Sequence, residues 1–285
     1  MPDPGHERRW LNQNREARVN TIDHEDDDRW RSLRSLIDSA PTGSSVAVTV
    51  RHLETDSTFS HLGERRFAAA STIKLLILIA VARAIDAGTL DLSATIVPDP
   101  GTIVGGSGVL NWLSRDLAPT IADHAWLMIA VSDNTASNVL IDAIGFPAVR
   151  EAQRDLRLTE TELHGHFMSA KRRPEDPANS VSASDLTRML EVIATDRAAS
   201  PERCAWIRSL LGDQQYRDGI ARHLPPGVAY AGKTGWQSGV AHDCGLLTGP
   251  GGTIALAVLT EGYAEPYPAH ILMGSIGKLV AQVIA

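Results

Sequence analysis

Two rhythms of hydrophobic and polar positions run along this chain. Near its start, DDDRWRSLRSLIDSA sets Trp30, Leu33, Leu36 and Ile37 at helical spacing behind a run of acids, which a helix N-terminus favours. SVAVTVRHL then alternates and is rich in valine, which predicts a strand, with STFSHLG as its hairpin partner. From Ser71 the pattern turns helical again. TIKLLILIAVARAIDAG is apolar almost all round and stops at Gly88, which predicts a central, buried helix closed by a glycine. Thr120 and Asp123 form a T-x-x-D start signal for a helix that runs through Trp126, Leu127 and Ile129 and ends near Val131. Further helices are predicted over about 135–144, 147–156, 183–196 and 201–211. The last segment returns to strands, VAYAGKTG, HDCGLLTG and TIALAVLTEG, with Pro250-Gly251-Gly252 turning between the last two. The chain closes on a helix, AHILMGSIGKLVAQVIA.

Strand elements thus lie at both ends and helices in the middle, without repeats. That order predicts an α+β fold, an antiparallel sheet flanked by N- and C-terminal helices plus an all-helical lobe. The α/β lobe takes about residues 26–66 and 226–285, and the helical lobe about 67–225. An active site between the lobes is the default expectation. Residues 1–25 are polar and unpatterned, and read as a disordered or loosely docked tail. The net charge of −7 leaves no basic footprint, so neither nucleic acid nor an anionic membrane is an expected partner. No apolar run of signal-peptide length opens the chain, and the longest, Leu75–Ala82, falls far short of the roughly 20 residues a bilayer span needs. The expectation is a soluble cytoplasmic protein of unknown oligomeric state. The two cysteines, Cys204 and Cys244, make neither a disulfide framework nor a zinc site, and read as small buried side chains.

Three short motifs carry candidate chemistry. Ser71-Thr72-Ile73-Lys74 is S-x-x-K, whose first and last residues share one helix face. A serine hydroxyl is a poor nucleophile until a base takes its proton. A lysine is such a base when burial or a neighbouring cation lowers its pKa. Alone the motif is weak, and the closing helix contains a second copy, Ser275 to Lys278, with nothing after it to complete a site. Ser132-Asp133-Asn134 follows a predicted helix, where Ser132 can pass a proton to a leaving nitrogen and Asn134 can hold a substrate amide. By itself S-D-N is equally a polar loop with an N-cap. Lys233-Thr234-Gly235 sits in a predicted strand. Its lysine and threonine suit a carboxylate, and its glycine lets a substrate approach the backbone. By itself K-T-G is equally an edge strand guarded by a lysine.

In this order, at a helix start, after a helix and in a strand, the three motifs resemble the set of the class A β-lactamases and their penicillin-binding relatives. The resemblance covers roughly residues 26–285. It implies the β-lactamase/transpeptidase-like fold and a serine hydrolase that forms an acyl-enzyme on a lactam, amide or ester. By position, it implies that Ser71 is the acylated nucleophile, Lys74 its proton partner and Ser132 the proton shuttle. Asn134 would contact the substrate side chain, and Lys233 and Thr234 its carboxylate. The N–H groups of Ser71 and Trp236, beside Gly235, would form the oxyanion hole. Neither metal nor organic cofactor is implied.

Two departures stand out. Class A β-lactamases carry a glutamate in an omega-shaped loop that activates the deacylating water. Here the matching stretch is Leu163-His164-Gly165-His166-Phe167-Met168-Ser169, with Phe167 nearest the glutamate position. His164, His166, Glu175 and Asp176 are the nearby titratable residues, and their ordinary reading is solvated loop side chains. Trp236 sets a large ring beside the oxyanion hole, where it either narrows the cleft or stacks on an aromatic substrate, and Asp243 either organises the site or satisfies a turn, the turn being the ordinary reading. The alternatives to hydrolysis are an acyl-trapping penicillin-binding module, a transacylase, and a scaffold that kept its motifs.

Overall fold

In the computed structural model, residues 27–170, 173 and 175–285 are described. The expected polar tail, residues 1–25, lies outside them. Among the described residues the chain forms α1 (Asp27–Asp38), β1 (Ser45–His52), β2 (Thr58–His61), β3 (Phe67–Ala68), α2 (Lys74–Asp86), α3 (Ile121–Ala130) and α4 (Asn134–Asp155). It continues through β4 (Ser180–Val181), α5 (Ala183–Ala194), α6 (Pro201–Gly212), β5 (Ala229–Gln237), β6 (Val240–Gly249), β7 (Gly252–Glu261) and α7 (Pro266–Ala281). The fold is α+β, as the sequence predicts.

The main sheet is antiparallel, in the order β2-β1-β7-β6-β5, so the last three strands complete a sheet begun by the first two. Its central strands are buried on both faces. Val46, Val48 and Val50 of β1 and Ile254, Leu256 and Val258 of β7 pack with Trp30, Leu33 and Ile37 of α1 and Met273, Ile276 and Val280 of α7. The alternate residues Ala47, Ala255 and Ala257 face the helical core. Small side chains there let the helices pack close to the sheet.

At the centre of that core lies α2, whose residues Lys74 to Ala82 are all buried. A helix apolar all round has no solvent face to offer, which is why it sits inside the others. Around it, Thr120 and Asp123 close a reciprocal capping box at the start of α3. The two helices predicted around residue 145 form one element broken at Gly145, where φ is +76° and ψ +151°. Pro147 follows, restarting the helix without needing an N–H donor. Cys204 and Cys244 are both buried and free. No helix among the described residues is long and apolar enough to cross a membrane.

Candidate active site

The turn after β3 supplies Ser71. Ala70 adopts a left-handed backbone, φ +44°. Thr72 N–H donates to Ala69 O at 3.2 Å and Lys74 N–H donates to Ser71 O at 3.3 Å. These tight bonds differ from the sequence expectation: α2 begins at Lys74, and Ser71 sits in the turn that enters it rather than opening the helix. Ser71 is half-buried and lines a cavity of about 500 Å³. β5, the edge of the sheet, lies against this turn, since a Cβ on Gly235 would fall 2.7 Å from Ser71 N and 3.0 Å from Thr72 N. Only glycine permits that approach.

His242 of β6 fixes the same turn from behind. It is buried, accepts at Nδ1 from Thr260 N–H at 3.1 Å, and lies 2.9 Å from Ala68 O through Nε2. Nδ1 also lies 2.8 Å from Ala241 O, so the ring sits between two carbonyls. Burial lowers its pKa to about 4, against the pull of the two carbonyls around it.

Lys74 is fully buried, yet its ammonium is well partnered. Nζ donates to Ser132 O at 2.7 Å, Ser132 Oγ at 3.2 Å and Asn134 Oδ1 at 2.8 Å. It also lies 4.6 Å from the centroid of the Phe167 ring. Burial first, and the Lys233 charge second, hold its pKa well below that of an ordinary lysine, with Asp133 pulling the other way. Ser132 holds a left-handed backbone, φ +57°, costing on the order of 1 kcal/mol or more, and this kink delivers both its oxygens to Lys74.

Asp133 is occupied by structure. Oδ1 accepts from Ala136 N–H at 2.9 Å, capping α4, and Oδ2 accepts from Val109 N–H at 2.6 Å and Leu110 N–H at 2.8 Å. Gly108 makes this fit possible, since a Cβ there would fall 2.3 Å from Asp133 Oδ2. Asn134 Nδ2 donates to Gly105 O at 3.1 Å, so both ends of that amide are engaged.

Lys233 and Thr234 face opposite ways, as neighbours on a strand must. Lys233 is fully buried, donates to Thr234 O at 2.8 Å, and has its pKa lowered to about 7 by burial, against Cys244 and Asp243. Thr234 lines a second cavity of about 90 Å³ with Tyr216, His270 and Asp243. Gly235 and Trp236 reach that cavity too, and Trp236 borders both. Asp243 lies within a strand rather than before one, and the turn it satisfies is the distant one that starts at Ile220. It is buried inside β6, accepting from Tyr230 OH at 2.5 Å and Ile220 N–H at 2.7 Å, and burial raises its pKa to about 7.

Among its described residues, the loop opposite carries no carboxylate toward Lys74. Asn138 and Phe167 exchange two bonds, Phe167 N–H to Asn138 Oδ1 at 2.9 Å and Asn138 Nδ2 to Phe167 O at 3.1 Å, which aim the phenyl ring at the ammonium. His166 borders the cavity but is held by Asp142 Oδ1 at 2.8 Å, and His164 lies 3.4 Å from Glu162. Glu175 and Asp176 pair with Arg173 at the surface. The second S-x-x-K does nothing comparable, since Ser275 Oγ donates to Ile271 O within α7.

The model of the Beta-lactamase enzyme family matches residues 28–284. The chain belongs to that family. Among solved structures, the β-lactamase of Sphaerobacter thermophilus DSM 20745 is 35% identical with a TM-score of 0.84, covering 89% of this chain and 97% of that one. PBP-A is 24% identical with a TM-score of 0.81, covering 90% and 95%, a likeness of fold. The curated β-lactamase AER-1 of Aeromonas hydrophila is 24% identical over 202 residues, 67% of this chain. A β-lactamase of Proteus vulgaris is 25% identical over 195 residues, 62% of this chain. The matched regions cover 64% and 61% of those two proteins, so the chain spans under two thirds of their length.

Within this β-lactamase family site, sequence reasoning missed the supports. Asn138 lies one turn beyond Asn134 on the same helix face, a spacing that was readable. The Gly105-Gly106-Ser107-Gly108 cluster was visible but not tied to Asp133. Nothing local marks His242 or Tyr230, whose partners are distant in sequence.

Proposed function

We propose that this protein is a β-lactamase-like serine acyl hydrolase acting on a small lactam, amide or ester through an acyl-enzyme on Ser71. The observation that carries it is the buried, pKa-lowered Lys74, hydrogen-bonded to Ser132 and Asn134 one turn from Ser71. Lys74 in its neutral form takes the Ser71 proton as Oγ bonds to the substrate carbonyl carbon. The oxyanion lies at the N–H groups of Ser71 and Trp236, which Gly235 holds against the turn. Ser132 then gives its proton to the leaving nitrogen or oxygen as that bond breaks, and Lys74 returns one to Ser132. The small molecule enters through the Ser71 cavity, and its carboxylate settles at Thr234 in the smaller cavity beyond Trp236, with the buried Lys233 charge attracting it from the opposite face of the strand.

One observation favours slow release. Water attack on the acyl-enzyme needs a base, and the phenyl ring of Phe167 holds the position facing Lys74. In this reading the protein behaves as an acyl trap toward β-lactams. A leucine-to-glutamate variant of the fold relative PBP-A was captured as an acyl-enzyme with penicillin G. The experiment is intact-mass analysis with a panel of β-lactams and esters. Mass gain at Ser71 that is lost in Ser71→Ala and kept in Ser275→Ala supports the proposal. Labelling that persists in Ser71→Ala removes it.

A further inference from the structure

The Ser71 cavity has a chemical character of its own. Its walls include Ala68, Ala70, Phe167, Met168, Ala178 and Trp236. Among the described residues lining it there is no Asp, Glu, Lys or Arg, and its one histidine, His166, is already held by Asp142. Two large apolar side chains stand at its mouth with no packing to explain them. Trp236 on β5 is 63% exposed, and Met168 on the opposing loop is 66% exposed. Met168 is held there by a left-handed backbone, φ +50°, with its side chain across Gly106, where a Cβ would meet Met168 Cγ at 3.5 Å. A non-glycine residue in that conformation is strained, and the strain goes into presenting the thioether at the opening. The smaller cavity beyond Trp236 contrasts with it, being lined by Asp218, Asp243, His242 and His270. The two sides of the reacting centre therefore differ in polarity.

We infer that Trp236 and Met168 form an aromatic-binding clamp, so that the acyl half of the substrate is an uncharged, flat, apolar group such as arylacetyl. This rests on the reading of Ser71 as the acylated residue. A ring seated between an indole and a thioether gains stacking and sulfur contacts. A charged acyl group there meets no counter-ion among the described wall residues, and an unpaired charge entering an apolar wall is penalised.

The test uses three penicillins with the same bicyclic nucleus and different acyl groups: phenylacetyl, α-carboxyphenylacetyl and acetyl. Second-order acylation rates are read from intact mass. The phenylacetyl compound is expected to acylate at least tenfold faster than either other. Trp236→Ser should bring the phenylacetyl rate down toward that of the acetyl compound. Met168→Lys, at a side chain 66% exposed, should raise the α-carboxyphenylacetyl rate relative to phenylacetyl, with circular dichroism checking that the variant is folded. Equal rates for the three compounds, or a wild-type preference for the anionic acyl group, overturn the clamp alone and leave Ser71 acylation standing. Absence of any adduct, with penicillins and with the p-nitrophenyl esters of the same three acids, overturns the acyl-enzyme reading and the clamp with it.

Discussion

Replacing Phe167 by glutamate should convert a lasting adduct into turnover, at a cost to acylation that the geometry allows one to calculate. The ring centroid lies 4.6 Å from Lys74 Nζ. A carboxylate at that distance, at an effective dielectric of about 20, attracts the ammonium by roughly 3.6 kcal/mol. Lys74 is held low by burial and Lys233, so the new carboxylate pushes it back toward the ordinary lysine range. The neutral fraction at pH 7 falls and acylation by Lys74 slows accordingly. The same carboxylate supplies a base for water, worth about 10²–10⁴ in deacylation rate. Phe167→Gln is the control, with similar reach and no charge. The assay is a time course of intact mass after free β-lactam is removed, paired with the pH profile of acylation in both variants. An adduct half-life unchanged by Phe167→Glu refutes the assignment of this position to the deacylating base. A pH midpoint that stays put refutes the electrostatic account of Lys74.

Further outcomes follow from the same geometry. Gly235→Ala should lower acylation by on the order of 10²-fold while the protein stays folded by circular dichroism, because its Cβ would press on Ser71 N at 2.7 Å; near wild-type acylation would contradict this. Lys233, with a pKa of about 7, loses its charge as pH rises through neutrality, so the Kd of carboxylate-bearing substrates should rise above pH 7 while that of neutral esters does not, as ligand titration across pH would report. His242 has a folded pKa of about 4, below the ordinary value of 6.5, so between those values the unfolded chain binds more protons and stability falls as pH drops. The loss of stability caused by His242→Gln, measured by urea unfolding, should accordingly be largest at pH 7 and shrink toward pH 4.

Much of this was legible in the chain. The apolar girth of α2 predicts its central place, and the valine-rich alternation of SVAVTVRHL predicts the strand β1. The motifs locate the site because each depends on short spacing, which a local pattern preserves. What escaped depends on pairings across the fold. Asp243 reads as a turn residue until Tyr230 and Ile220 are brought to its carboxylate. Ser71 reads as opening a helix, yet it lies in the turn before α2, which starts at Lys74, with β5 and His242 bracing that turn. The left-handed backbones of Ala70, Ser132 and Met168 leave no trace in residue type, since none is glycine or asparagine. The opposite orientation of Lys233 and Thr234 follows from strand periodicity alone and could have been stated from the sequence.

The pairing of β1 with β7 has a bearing on biosynthesis. Ser45 lies opposite Glu261 and His52 opposite Ile254, so the sheet joins segments far apart along the chain. Contacts so far apart along the chain slow folding, because a long loop must close before they form. While the helical core is being translated, β1 and β2 have only each other and α1, and a two-stranded hairpin without further strands is marginal in water. The turn bearing Ser71 gains its backing from β5 and β6 only once the C-terminal strands emerge. A ribosome stalled before residue 229 would therefore hold a nascent chain that contains Ser71, Lys74 and Ser132 yet lacks the strand that braces them.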